Sequence, residues 1–568
     1  MGALRQIVAP SKPSMVRLVA VVWNNGWPYL YSMRMPDPLK MIASAGLSLL
    51  GVMAVRADTI TLTMARGPSP GETVLSWMGG TSPYQVHRFG SSQGVVSPSH
   101  VIALASASPL SSTGDPASGQ GFYFVVVSGV CGDAVTDVGE SCDDGGTAPG
   151  DGCSATCQIE RPLTLSVTGS GTGSVTVDGS PVCQTTCPET TYHANGSNVL
   201  LQASTQNGAS SYFGGWSGEC SGIQRTCVVS MTQARSVTAI FLPITQNLAF
   251  VSSSAYAPNL GSAPAYDSAC NGLASVAGIN DAAGTAYIAW TSDSFSSARN
   301  RLGAAARGWI TLEGKPFADD QATFLNGASP KVWNALRVSE SGVDVGAQPV
   351  MTGTAIDGTP ASSCSNYAGT GSMTIGYSSF GGGAWTNTET LPTCATSHRI
   401  YCLMRTKNLA VSVAPVPAKR VFLSTPFLPD STMTPDQRCN ADKPPGMGMV
   451  RALVAAIGVS ASSYLNPSQT YSRLDGVMIG TGAEISAGGT LRSGMWQFGS
   501  TLYLTTRGLS WTGAASVSTV GSGASTCSNW TSVSGSGIAG SAASTDPTWW
   551  NTVSASCNTS RPLHCVEQ

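Results

Sequence analysis

Cys364-Ser365-Asn366-Tyr367 and Cys527-Ser528-Asn529-Trp530 are one tetrapeptide written twice, with one aromatic exchanged for another. Each opens a cysteine frame of identical spacing. Cys364, Cys394 and Cys402 are 30 and then 8 residues apart, and Cys527, Cys557 and Cys565 repeat both intervals. The flanks match as well, since Thr352-Gly353-Thr354 before the first frame echoes Trp511-Thr512-Gly513-Ala514 before the second. Upstream, Ala269-Cys270-Asn271 lies 94 residues before Cys364, and Arg438-Cys439-Asn440 lies 88 before Cys527, so each copy owns four cysteines. Equal spacing late in the frame with drift before it predicts a duplicated domain, a fixed disulfide core carrying variable loops.

The frame resembles the C-type-lectin-like fold, in particular its bacterial branch related to the collagen endostatin domain. The resemblance covers residues 246–405 and 418–568. It implies that outer cysteines pair with outer and inner with inner: Cys270 with Cys402, Cys364 with Cys394, Cys439 with Cys565 and Cys527 with Cys557. Phe250-Val251-Ser252-Ser253 and Phe422-Leu423-Ser424-Thr425 read as the opening strands, and Arg399-Ile400-Tyr401-Cys402 and Pro562-Leu563-His564-Cys565 as the closing ones. Ala286 to Ser292 followed by Arg299-Asn300-Arg301-Leu302 also looks like the family, and copy two keeps only Ser472-Arg473-Leu474 of that pattern. Residues 406–417, with Ala414-Pro415-Val416-Pro417, read as a short extended linker that tethers two similar surfaces for avidity.

A chain of 568 residues is too long for one core and predicts several domains. Charged residues make up only 11% and the formal net charge is −2, which points away from nucleic acid and anionic membranes toward recognition by shape and hydrogen bonds. Sixteen cysteines in four local groups of four predict an oxidising compartment rather than metal clusters. Met41 to Ala54 is an apolar run preceded by Lys40 and followed by Val55-Arg56-Ala57, so residues 1–57 read as a signal-peptide region, with cleavage after Ala57 and translation from Met35 or Met41. The run is too short for a transmembrane anchor, which needs about 20 apolar residues. Before Met35, Asn24-Asn25-Gly26 interrupts the apolar stretch, which reads as neither targeting nor fold.

Three further modules precede the duplicated one. Residues 58–130 alternate apolar and polar positions between Gly, Pro and Ser turns, which predicts a β-sandwich. Its Leu75-Ser76-Trp77 and Tyr84-Gln85-Val86-His87-Arg88 resemble a short fibronectin type III domain, whose role is that of a spacer. Residues 131–160 hold Cys131, Cys142, Cys153 and Cys157 among Gly-Asp turns and closely resemble the myxobacterial cysteine-rich repeat. So short a segment depends on two disulfides, each contributing about 2–4 kcal/mol, and its pairing stays open at this stage. Glu140, Asp143, Asp144 and Asp151 crowd oxygen atoms of the kind calcium takes, though without an EF-hand's alternation; the competing reading is acidic turn residues. Residues 161–243 carry four strand-like stretches and two more cysteine pairs, Cys183 with Cys187 in a small loop and Cys220 near Cys227. With Gly215-Trp216-Ser217-Gly218 and Ser236-Val237-Thr238-Ala239-Ile240-Phe241, they resemble a β-repeat of bacterial surface proteins that serves mainly as a stalk.

Enzymatic chemistry has little to rest on. Five scattered histidines form no His-Glu-x-x-His motif and no zinc cluster. Gly90-Ser91-Ser92-Gln93-Gly94 matches a hydrolase elbow, yet the Val95-Val96-Ser97-Pro98 that follows cannot begin the helix such an elbow requires. Calcium-dependent lectins of the resembled superfamily use a Glu-Pro-Asn or Gln-Pro-Asp triplet and a Trp-Asn-Asp strand, and neither occurs here. Candidate ligand-binding residues are therefore aromatics that stack on sugar faces and amides that bond hydroxyls: Asn366, Tyr367 and Trp385 in copy one, and Asn529, Trp530, Trp549 and Trp550 in copy two. Tyr367, Trp530 and Trp511 sit beside structural motifs and read as core, whereas Trp385, Trp549 and Trp550, after Gly-rich loops, read equally as exposed or buried.

The expected fold class is thus multidomain and mainly β with α+β parts: a β-sandwich, a small disulfide-rich module, a β-repeat stalk and two tandem lectin-like α+β domains. The expected function is extracellular binding or adhesion toward a glycan or protein, without nucleic acid or a membrane anchor, with no cofactor required and calcium the one candidate. Two other classes stay open, a matrix or envelope component without a specific ligand and a secreted hydrolase whose site is not visible in the sequence.

Overall fold

A computed structural model describes residues 140–183 and 187–568, with Cys131, Gly132 and Thr136; before them it describes eight strands between Arg17 and Ser128. The apolar run Met41 to Ala54 and the Gly90–Gly94 elbow lie outside the described residues. Strand outweighs helix, 34% to 13%, so the chain is mainly β. It divides into two compact units, residues 1–164, 190–199 and 229–236 in one and 165–189, 200–228 and 237–568 in the other.

In the first unit, Arg17–Asn24 and Trp27–Arg34 pair antiparallel, with Asn24 opposite Trp27. The stretch before Met35, read from sequence as neither targeting nor fold, thus carries two paired strands. Two three-stranded antiparallel sheets follow, Thr61–Arg66, Glu72–Met78 and Leu110–Thr113 in one, and Val101–Ala105, Tyr84–Phe89 and Tyr123–Ser128 in the other. In the cysteine-rich segment, Cys131–Cys157 encloses Cys142–Cys153.

Residues 160–243 form two four-stranded sheets. Alternation decides which side chains are buried: in Arg235–Pro243, Val237, Ala239 and Phe241 point inward. Cys183 bonds Cys187, and Cys220 bonds Cys227. Within the second unit, residues 205–207 bond to copy one. Thr205 Oγ1 donates to Ala277 O (3.1 Å) and Asn207 Nδ2 to Ser275 O (3.0 Å), just past the helix Asp267–Val276 and at its last turn.

The two copies repeat one topology. In copy one the five-stranded sheet runs Tyr287–Ala289, Tyr401–Met404, Asn247–Val251, Trp309–Thr311, Pro316–Ala318; in copy two it runs Val450–Ala452, His564–Glu567, Lys419–Leu423, Thr470–Arg473, Met478–Thr481. A three-stranded sheet accompanies each. The four cysteines of each copy pair outer with outer and inner with inner. The Cys-Asn pairs act alike: Asn271 Nδ2 donates to Asp267 O and Tyr287 O, and Asn440 Nδ2 to Asp436 O and Val450 O, tying the cysteine-bearing helix to the sheet's edge strand. One alignment is corrected. Ser472-Arg473-Leu474 corresponds not to the helix Ala298–Leu302 but to the strand Trp309–Thr311, because both run parallel to their copy's first strand.

The copies are not merely tethered. Phe380 and Ser544 form an antiparallel bridge, flanked by Gly381 N–H to Ala543 O (3.0 Å) and Thr545 N–H to Ser379 O (2.9 Å). Gly376 lies against the carbonyl of Trp385, and Gly540 against that of Trp549, which sets Gly376 level with Gly540 and Phe380 level with Ser544. Equivalent residues therefore meet across a local pseudo-two-fold axis, the signature of an isologous interface. Trp496 Nε1 donates across the seam to Val332 O (2.8 Å), and the buried Arg473 donates to Trp333 O (2.7 Å). A Cβ on Gly381 would lie 2.2 Å from the Trp496 ring, and one on Gly383 2.2 Å from Thr505 O. The Gly-rich loop before Trp385 thus lies against copy two with no room for side chains. The linker is laid down too, with buried Val411 donating its N–H to Asp319 Oδ1 (2.8 Å).

Truncating Trp496 to Ala should lower unfolding free energy by about 3–5 kcal/mol in urea titrations, since it empties a core site and strips Val332 O of its donor. At Asp475, burial works against the charge. The Arg473 guanidinium and hydrogen bonds from Arg473, Tyr503 and the Val477 N–H outweigh that and hold the carboxyl below its ordinary range. Stability from such a group is complete above the ordinary carboxylate pKa, ~3.9, and is lost as pH falls through the folded-state value. Thermal melts should therefore show a loss below about pH 4 that Asp475→Asn reduces.

Candidate functional site

Four consecutive residues in each copy adopt left-handed backbone: Cys364, Ser365, Asn366 and Tyr367 at φ 54°, 53°, 61° and 61°, and Cys527, Ser528, Asn529 and Trp530 at 51°, 53°, 60° and 68°. Left-handed helix costs L-residues roughly 1–2 kcal/mol each, with Asn the most tolerant, so the surroundings must hold the turn. They do so alike in both copies. Tyr367 N–H returns to Ser363 O and Trp530 N–H to Thr526 O, both at 2.6 Å. The inner disulfide anchors the first residue, and the aromatic anchors the last from within the core. Tyr367 Oη donates to Thr352 O (3.1 Å) and Trp530 Nε1 to Ala455 O (2.9 Å); burial pushes the Tyr367 phenol well up, keeping it a donor. Gly353 and Gly513 make room, since a Cβ there would lie 2.8 Å from Tyr367 Oη and 2.6 Å from the Trp530 ring.

The amide in the turn pins a neighbouring loop. Asn366 Oδ1 accepts from Ser294 N–H (2.9 Å), and Asn529 Oδ1 accepts from Ile457 N–H (3.0 Å). Both loops are tight reversals closed by reciprocal backbone bonds, Asp293 with Ser296 and Ala456 with Val459. Asp293 braces the first from below by accepting from Ala263, Phe295 and Ser296 N–H. At the tips stand apolar side chains in water: Phe295 is 89% exposed, Ile457 55% and Val459 37%. Val520, which forms an isolated bridge with Ser460 next to the Ile457–Gly521 bridge, is 55% exposed. A large apolar side chain held outward on a rigid, disulfide-anchored turn is a pre-ordered contact that loses little entropy on binding.

The structure brings together Asn366 with Tyr367 and Asn529 with Trp530, with the amides at the surface and the rings in the core. It does not bring Trp385, Trp549 or Trp550 to that surface. Trp385 packs among Trp290, Phe317 and Tyr401 at 5.1–5.2 Å between ring centres. Trp549 and Trp550 pack on each other, with Nε1 donating to Gly489 O and Ala514 O. These rings, with Tyr367 and Trp530, offer no open face, so stacking on a sugar does not carry over to them. The glycines that precede Trp385 serve the seam rather than solvent. Sequence reading passed over Phe295 and Ile457. Their signals were a lone aromatic within Ser292-Asp293-Ser294-Phe295-Ser296-Ser297 and an apolar Ile457-Gly458 turn tip.

Three of the four calcium candidates accept backbone hydrogen bonds in turns. Asp143 accepts from Gly132 and Gly145 N–H (2.8 Å each), Asp144 from Gly146 N–H (3.0 Å) and Asp151 from Cys153 N–H (3.4 Å). Glu140 lies near Cys131 and Cys157, whose sulfurs are joined to each other and unavailable as thiolates. Elsewhere Ser510 Oγ and His564 Nε2 stand 2.7 Å apart. Burial pushes the imidazole down to about 4, Nδ1 has no partner, and both side chains are sealed in the core, so the pair is packing rather than an exposed nucleophile.

No protein-family model matches this chain, and no curated protein matches it. Replacing Ser365 or Ser528 with Gly should raise stability by roughly 0.5–1 kcal/mol by relieving left-handed strain, while Asn366→Ala should lower it by about 1–2 kcal/mol; urea midpoints measure both.

Proposed function

We propose that this is an extracellular binding or adhesion protein that recognises a glycan or protein through its duplicated, lectin-like copies. One observation carries the reading: the same strained turn is built twice, each time pinning a loop whose exposed apolar tip differs between the copies. Backbone strain repeated in two diverged copies, at a surface, is where recognition is to be sought. Eight disulfides accord with an oxidising compartment. Among the described residues no helix is long and apolar enough to cross a membrane.

In this reading the seam replaces the flexible tether. Two unlike faces, Phe295 on one copy and the Ile457 region on the other, belong to one rigid body, so a ligand engages them in one geometry rather than by independent avidity. Binding of the full chain to an immobilised glycan array and a panel of extracellular proteins tests this, with calcium and with chelator. Phe295→Ala should weaken binding about fivefold or more at an unchanged melting temperature, and chelator should leave binding unchanged. Absence of binding to both panels would favour a structural role in a matrix or envelope.

A further inference from the structure

We infer that the tip of copy two, formed by Ile457, Val459 and Val520, docks a protein partner whose contacting surface is apolar and uncharged. The inference rests on the binding reading above and names its ligand class. The three side chains form one patch: Ile457 bridges Gly521, Ser460 bridges Val520, and Val459 closes the reversal on Ala456. Three aliphatic residues 37–55% exposed on a turn held by Asn529 and the inner disulfide present apolar area without mobility.

Charge selects the partner. The segments that build the face, residues 452–472 and 508–545, contain no Asp, Glu, Lys, Arg or His. A charged partner surface seated there would lose its hydration with nothing from these segments to replace it, so complementarity favours an uncharged one. The same face is poorly equipped for a sugar. The rings of Trp511, Trp530, Trp549 and Trp550 are inside. Hydroxyls of these segments are engaged with one another, Ser460 with Ser462, Ser516 with Ser518 and Thr519, and Ser522 with Ser525. The amide oxygen of Asn529 is taken by Ile457 N–H. What the face offers a ligand is aliphatic area, and burying it is favourable at roughly 25 cal/mol per Å2.

The test uses the full chain and two probes, a phage-displayed library of random dodecapeptides and an array of neutral glycans. The expected result is enrichment of charge-poor peptides rich in Leu, Phe or Trp, with affinity falling about tenfold or more for Ile457→Asp and for Val520→Asp, at an unchanged melting temperature. Phe295→Ala should leave these peptides bound, since it lies on copy one. Peptides that are not enriched, or whose binding survives Ile457→Asp with Val520→Asp, overturn the inference. Glycan binding lost in Ile457→Asp overturns the protein partner but keeps the binding function, whereas silence of both probes toward every variant removes both.

Discussion

The reciprocal backbone pair across the seam, Gly381 to Ala543 and Thr545 to Ser379, is the constraint on which the arrangement of the duplicated copies depends. Two backbones come that close only where side chains are absent or point away, and the three consecutive glycines of copy one supply the space. Around this contact the copies bury Trp496, Tyr503, Leu504, Phe380 and Ala543 in one shared cluster. Within it, Trp496 Nε1 and the Arg473 guanidinium find carbonyl partners on the opposite copy. A buried guanidinium without such acceptors is strongly unfavourable, so these bonds select the docked arrangement. The result has the form of an isologous dimer written on one chain.

Such an arrangement frees each copy to diverge at its far edges while the shared core is preserved. The left-handed turns show this division. Their disulfide, anchoring ring, returning backbone bond and pinning amide are common to both copies. The tip residues are not, being Ser294-Phe295 in one and Ile457-Gly458 in the other. Conformational cost is carried by the shared parts, and chemical identity by side chains that the turns hold out toward solvent.

The docked linker and residues 205–207 extend the same principle. Val411 and Val413 pack with copy one's core, and Thr205 and Asn207 cap the region past its helix. The linker 406–417 and residues 200–228 thus belong to the same compact unit as the duplicated copies.

By itself the sequence determined the duplication, because cysteine spacing is read directly along the chain, and the mainly β character, because alternation at period two survives in any context. It pointed to the turn, since Cys-Ser-Asn followed by an aromatic stands out in both copies, but not to its left-handed backbone. Only the tertiary structure decided which side of the surface each aromatic occupies. Trp385, Trp549 and Trp550 follow Gly-rich stretches that look like loop, and distant parts of their own copy bury them, Trp290, Phe317 and Tyr401 around Trp385 and the segments of Gly489 and Ala514 around the Trp549–Trp550 pair. Likewise the carboxylates of the cysteine-rich segment look like ligands in a row of letters and become turn acceptors once backbone amides are placed beside them. Phe295 was passed over for the converse reason: its polar neighbours in sequence are a signal, but exposure itself is the absence of neighbours in space, and that depends on every other segment of the fold.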